Sequence, residues 1–273
     1  MNNTYKSDKK VTILAILLFV ITVAVIISGV EYDKKRDAKN EKAIAAYQKK
    51  ELGQAKEKNS TGKVKESKDV KTIGKGKSIK YLSIGDSVTL GYGASSQDSF
   101  FTNRLGTLIT NNMGFQVQKN NIAKRGELLS EALNDVSQIN SWSPDLITIE
   151  YGTNDSNTEN NVSPAVFENE LNTLLDGITT KVNRKPTIVL MTTWNVSYGQ
   201  RYDDIITNIG KQRNIPVVNM KDIYSNKTNV CTAGNKTFYG VSDDFSPNDK
   251  GMEAIANVLY QKVQPLLYEK ASK

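Results

Sequence analysis

The spacing of apolar positions changes twice along this chain. Val11–Val30 is an unbroken run of 20 residues without a charge. As a helix it would measure about 30 Å, the thickness of a bilayer's hydrocarbon core. Charged segments flank it on both sides, which argues against a buried helix of a soluble domain. Residues 31–78 lose apolar periodicity: Lys, Glu, Asn, Gly and Ser dominate, and Ala43–Ala55 offers a helical turn or two with too little apolar surface to bury. From Ile79 short apolar runs alternate with helical stretches. Strands are expected at Lys80–Ile84, Gln116–Asn121, Leu146–Tyr151, Thr187–Met191 and Pro216–Asn219. Helices are expected at Ser99–Asn111, Leu128–Ile139, Pro164–Val182, Tyr202–Arg213 and Asn248–Tyr268. Ser163 before Pro164 is a start signal, a capping side chain followed by a residue pre-set for the first turn. The alternation predicts an α/β domain, a parallel sheet with helices on both faces.

The chain therefore divides into a cytoplasmic N-terminus (1–10), a transmembrane anchor (11–30), a charged flexible stalk (31–78) and a folded domain (79–273). Lys6, Lys9 and Lys10 precede the apolar run against Asp8 alone, whereas Glu31, Asp33 and Asp37 dilute Lys34, Lys35 and Arg36 behind it. Basic residues favour the cytoplasmic side, so the expected topology is a single-pass cell-membrane protein with its C-terminal domain extracellular. A cleaved signal peptide is the rival. Its apolar core is normally about 7–15 residues with a small-x-small exit, and here the run is longer and its exit, Ile27-Ser28-Gly29, begins with a bulky residue. No cysteine lies near it to take a lipid. A flexible stalk of this length spans on the order of 40 Å root-mean-square.

Charge follows the same division. The net charge is +7, but residues 1–78 carry 18 Lys/Arg against 9 Asp/Glu, and residues 79–273 carry 18 against 20. The domain has no basic excess, so no nucleic-acid partner is expected. Histidine is absent and Cys231 is the one cysteine. That excludes an intrachain disulfide, a histidine metal site and a Cys–His pair; neither metal nor cofactor is expected.

Chemistry concentrates at Ile79–Ala94, IKYLSIGDSVTLGYGA. An apolar strand ending in a glycine turn presents Ser87 at the carboxyl end of the sheet, where ligands of open α/β sheets bind. Downstream come Asn121-Ile-Ala-Lys-Arg-Gly126, Gly152-Thr-Asn-Asp155 and Asp243-Asp-Phe-Ser-Pro-Asn248. In order and spacing the four stretches resemble the blocks of the SGNH hydrolases, the GDSL esterase/lipase family. The resemblance implies a flavodoxin-like three-layer α/β/α sandwich with a five-stranded parallel sheet. It further implies Ser87 as nucleophile, the Gly126 backbone N–H and the Asn154 side-chain amide as oxyanion donors beside the Ser87 N–H, and Asp243 as orienter of a base.

The family's base is a histidine in Asp-x-x-His-Pro, and here Ser246 holds that position. A hydroxyl cannot accept a proton at neutral pH, and an ordinary carboxylate is a weak base toward an alcohol. Three readings stay open: a serine esterase for small acyl or acetyl esters with Asp243 or Asp244 as base; a tethered pseudoenzyme that binds acylated glycans; and a structural surface domain. Tyr92, Tyr151 and Trp194 follow strand ends and can line the cleft, and Ser225–Val241 reads as a loop shaping access. The expected ligand is a small ester or acylated glycan.

Overall fold

The computed structural model describes residues 73–180, 185–194 and 196–272. Val11–Val30 and most of the stalk lie outside them. Among the described residues no helix is long and apolar enough to cross a membrane.

In chain order the elements are β1 (Ser78–Gly85), α1 (Ser87–Leu90), α2 (Phe101–Met113), β2 (Gln116–Ala123), α3 (Leu129–Ala132), α4 (Val136–Trp142) and β3 (Leu146–Glu150). Then follow α5 (Pro164–Thr180), β4 (Thr187–Met191), α6 (Gln200–Arg213), β5 (Val217–Val218), α7 (Lys221–Ser225), the hairpin strands β6 (Lys236–Thr237) and β7 (Gly240–Val241), and α8 (Asp249–Ser272). The main sheet has five parallel strands in the order β2-β1-β3-β4-β5. The order reverses at β1, between β2 and β3. This is the flavodoxin-type switch point, where a cleft opens at the strands' carboxyl ends.

Alternation along the strands sorts side chains into two cores. Tyr81, Leu146, Val189 and Met191 face α2 and α8, packing with Leu105, Ile109, Met252 and Leu259. Leu82, Ile84, Ile147, Ile149, Ile188 and Leu190 face the opposite layer, against Phe167, Leu171 and Leu174 of α5 and Ile206 and Ile209 of α6. A fully buried side chain of this size contributes about 2–3 kcal/mol relative to exposure. The Val166 N–H donates to Ser163 Oγ at 3.3 Å, closing the cap read from the sequence.

Three expectations shift. The folded domain reaches back to Ile73, which packs on the α2/α8 core, and the Gly74 N–H donates to Met113 O at 2.8 Å. The helix expected at Leu128–Ile139 is two short helices joined by a 3-10 turn at Leu133–Asp135. The stretch Ser225–Val241 is not all loop: it holds a 3-10 turn and the β6–β7 hairpin.

Candidate active site

β1 delivers the site. At its end Gly85 packs so closely on Thr89 and on the Glu150 carbonyl that a Cβ would collide with both. Asp86 follows, fully buried, and caps α1 by accepting from the Val88 N–H at Oδ1, 3.0 Å. Ser87 opens α1 and is half-buried. The helix stops after one turn at Gly91, whose φ of 91° is in the left-handed region, and the Tyr92 N–H returns to Ser87 O at 2.9 Å.

The loops after β2 and β3 close on this turn. Gly126 has a φ of 75° with open space where a Cβ would stand, so the backbone conformation, not crowding, requires glycine. Among the described residues neither the Gly126 N–H nor the Ser87 N–H has an acceptor. Asn154 Nδ2 donates to Asp86 Oδ2 at 2.8 Å and to Glu127 O at 3.2 Å, tying all three loops together. Both amide hydrogens are thus engaged within the protein. For Asn154 to reach an oxyanion, the substrate oxygen must displace the longer bond to the Glu127 carbonyl. Asp155 holds the loops from below, accepting from the N–H groups of Leu129 (3.0 Å) and Gly152 (3.1 Å).

Asp243 and Ser246 form a unit of their own. Ser246 Oγ donates to Asp243 Oδ2 at 2.9 Å, while Asp243 Oδ1 accepts from the N–H groups of Ser246 (2.7 Å) and Phe245 (3.1 Å). The unit lies on the turn that follows Ser87: a Cβ on Gly93 would stand 2.5 Å from Pro247 O and 3.0 Å from Ser246 Cβ. No hydrogen bond joins Asp243 or Ser246 to Ser87 among the described residues. Asn154 is thus bonded to Asp86 and Glu127, the chain neighbours of Ser87 and Gly126, and Asp243 with Ser246 is set against the turn at Gly93.

The aromatic residues expected at the cleft are buried. Trp194 is a core residue, its indole N–H donating to Phe245 O at 2.7 Å and so bracing the Asp243 loop. The Tyr151 hydroxyl donates to Glu127 Oε2 at 3.4 Å, and Tyr92 lies beneath the Arg125 guanidinium, 4.3 Å from its ring centre. Among the described residues the exposed aromatics are instead Tyr198 and, at the tip of the β6–β7 hairpin, Phe238 and Tyr239. The hairpin's link to the site is the Phe238 N–H, which donates to Ala94 O at 2.8 Å. Phe-Tyr between two short turns was its only sequence signal.

Glu150 was not singled out from the sequence either. It ends β3 on the α2/α8 face and is fully buried, with Oε2 accepting from the Thr89 N–H (3.3 Å) and hydroxyl (3.0 Å). Burial first, then the neighbouring Asp86 charge, raises its pKa well above the ordinary glutamate range. Burial also raises Asp86 to about 6, against the hydrogen bonds from Val88, Glu150 and Ser87. Burial likewise raises Asp155 and Glu127, Lys124 opposing the shift at Glu127. Cys231 is buried, and its thiol is pushed up to about 11, chiefly by desolvation, which leaves it inert. Among the described residues no cluster of acids or cysteine has the makings of a metal site.

A sheet of order 2-1-3-4-5 with Ser87 just past the end of its first strand, at the switch point, is a flavodoxin-like α/β arrangement. Residues 81–259 match the family model of the GDSL-like lipase/acylhydrolases, and the chain belongs to that family. No curated protein matches the sequence. Solved structures similar to it include the psychrotrophic esterase EstA from Pseudoalteromonas sp., with 19% identity and a TM-score of 0.56, over 69% of this chain and 98% of that one. The lipase/acylhydrolase from Enterococcus faecalis has 20% identity and a TM-score of 0.55, over 69% and 96%. Axe2, an acetylxylan esterase from Geobacillus stearothermophilus, has 17% identity and a TM-score of 0.54, over 70% and 96%. At these identities the likeness is one of fold.

Proposed function

We propose that this protein is a membrane-anchored serine ester hydrolase for small acyl or acetyl esters, those of cell-surface glycans among them. The observation that carries the reading is Ser87 at the end of β1, with its N–H and that of Gly126, in the loop tied to it through Asn154, free of acceptors among the described residues. Two such donors stabilise the oxyanion of an acyl-transfer intermediate. The uncharged run Val11–Val30 supports the anchor. Glycan esters are supported by the exposed rings of Phe238 and Tyr239, which offer flat apolar surface to a sugar. Axe2, an acetylxylan esterase by name, shares the fold.

A second reading, an acyl-glycan binding module without turnover, draws support from Ser246, a hydroxyl where an Asp243-oriented imidazole would complete a triad. Hydrolysis of p-nitrophenyl acetate and of acetylated xylo-oligosaccharides separates the two. Turnover abolished by Ser87→Ala is expected. Saturable binding of the acetylated oligosaccharide with a rate equal to that of Ser87→Ala would establish the binding module instead.

A further inference from the structure

We propose that Arg125 selects substrates that carry an anionic group, carboxylate or phosphate, beside the ester. The inference deepens the reading above and rests on its ester site. It starts from a cation without a counter-ion. Arg104 and Arg213 each reach a carboxylate, Glu253 at 3.7 Å and Asp176 at 2.6 Å. Lys124, the chain neighbour of Arg125, pairs with Glu127 at 3.4 Å and Glu131 at 3.8 Å. Arg125 is exposed and, among the described residues, forms neither a hydrogen bond nor an ion pair. Its guanidinium lies instead over the ring of Tyr92, 4.3 Å from the centre. A ring face holds a guanidinium without taking its N–H donors. Those donors stay in the fork that matches a carboxylate or phosphate.

The ring that holds Arg125 belongs to the site. The Tyr92 N–H donates to Ser87 O at 2.9 Å, and the Tyr92 hydroxyl donates to Val241 O of the β6–β7 hairpin at 3.5 Å. Arg125 also precedes Gly126, the second backbone donor. A Cβ on Gly126 would meet nothing within 4 Å, so the space next to Arg125 is open to a ligand. Tyr92 therefore joins three parts: the Ser87 turn, the loop of Arg125 and Gly126, and the hairpin that carries the exposed rings of Phe238 and Tyr239. A glycan that lies on those rings and bears a charge has one unpartnered cation to answer it.

The recognition is local. Residues 79–273 carry 18 Lys/Arg against 20 Asp/Glu, so the domain as a whole exerts no pull on anions. Asp243, on the segment set against the turn at Gly93, accepts three hydrogen bonds that offset its charge. An independent sign comes from residues 1–78, where 18 Lys/Arg stand against 9 Asp/Glu. That balance suits anionic polymer around the tether.

Matched pairs of esters test this on the full chain in detergent micelles. One pair is acetylated xylo-oligosaccharides with and without a glucuronic acid branch. The other is acetylglycerol phosphate and monoacetylglycerol. Wild type should favour the charged member of at least one pair by about tenfold in kcat/KM; the first pair reads carboxylate, the second phosphate. Arg125→Gln should bring the charged-to-neutral ratio to about one. Arg125→Lys should keep part of it, because the charge stays and the fork is lost. The wild-type ratio should shrink in about 0.5 M salt. Calorimetry of the same ligands on Ser87→Ala, with and without Arg125→Gln, should give the same ratios in Kd. The proposal is overturned if no charged ligand is preferred or bound, or if Arg125→Gln keeps the preference. It is equally overturned if Arg125→Gln weakens both members of a pair alike, which would make Arg125 a brace between two loops. Hydrolysis equal in wild type and Ser87→Ala would remove the hydrolase reading alone, and the calorimetric ratios would still decide the role of Arg125.

Discussion

Glu150→Gln should stabilise the protein, and by an amount that grows with pH. In the unfolded chain Glu150 loses its proton near 4.5, whereas burial beside Asp86 raises its folded-state pKa well above that. Folding at higher pH must therefore bring a proton back. A raised carboxyl pKa contributes stability that is fully present below 4.5 and is lost as pH climbs toward the folded-state value. The slope is about 1.4 kcal/mol per pH unit. Glutamine has no proton to recover. Its oxygen can accept from Thr89 N–H and Oγ, and its amide can donate to Asp86, so the hydrogen bonds of the acid are reproduced. The variant should match wild type near pH 4.5 and gain on it at that slope as pH climbs toward the folded-state value. For a domain of this size each 1.4 kcal/mol is a Tm rise of about 3–6 °C. Urea melts followed by the fluorescence of buried Trp194 would read the difference at each pH. A Glu150→Gln variant that is less stable at pH 6.5, or whose advantage does not change with pH, would show that Glu150 is ionised in the fold.

Other outcomes follow from the site. Ser246→His places an imidazole against Asp243 and should raise p-nitrophenyl acetate hydrolysis by at least about tenfold, a gain that Ser87→Ala abolishes; a folded variant without the gain would separate Asp243 from the reaction. Gly93→Ala adds a Cβ 2.5 Å from Pro247 O and 2.9 Å from Cys231 Sγ at a φ of 96°. It should cost about 3 kcal/mol in a urea melt, and wild-type stability would mean that the loop yields freely. Protease added to intact cells should shave the domain from the surface. Protection until lysis would place it inside.

Much of the fold was readable because its strands are short apolar runs with clear ends: Thr187–Met191 is observed as expected. The helix at Leu128–Ile139 was misread as continuous because Leu129, Ala132 and Ile139 keep helical spacing. Asn134 and Asp135 interrupt it, in keeping with side chains that compete for backbone hydrogen bonds. Ser87 and the Gly126 and Asn154 loops were legible from residue type and order. Glu150 was not, because a glutamate at the end of an apolar run reads as a boundary. Only the tertiary fold shows that its alternation places it inward, with Leu146 and Thr148. The ring pair Phe238–Tyr239 escaped for another reason: two-residue strands leave no periodicity to detect.

The two margins of the sheet differ in length. β5 offers only Val217 and Val218, whereas β2 runs for eight residues with one side unpaired. A long free strand is a template for pairing with another copy. Here it reads Gln116, Val117, Gln118, Lys119, Asn120, Asn121, Ile122, Ala123, and much of it is exposed. The Lys119 ammonium, donating to Asn103 Oδ1 at 2.7 Å, stands along that strand, where a second chain would have to strip it of water. The charge disfavours strand-to-strand pairing between copies of the domain, so that they can be concentrated with less tendency to fuse into a common sheet.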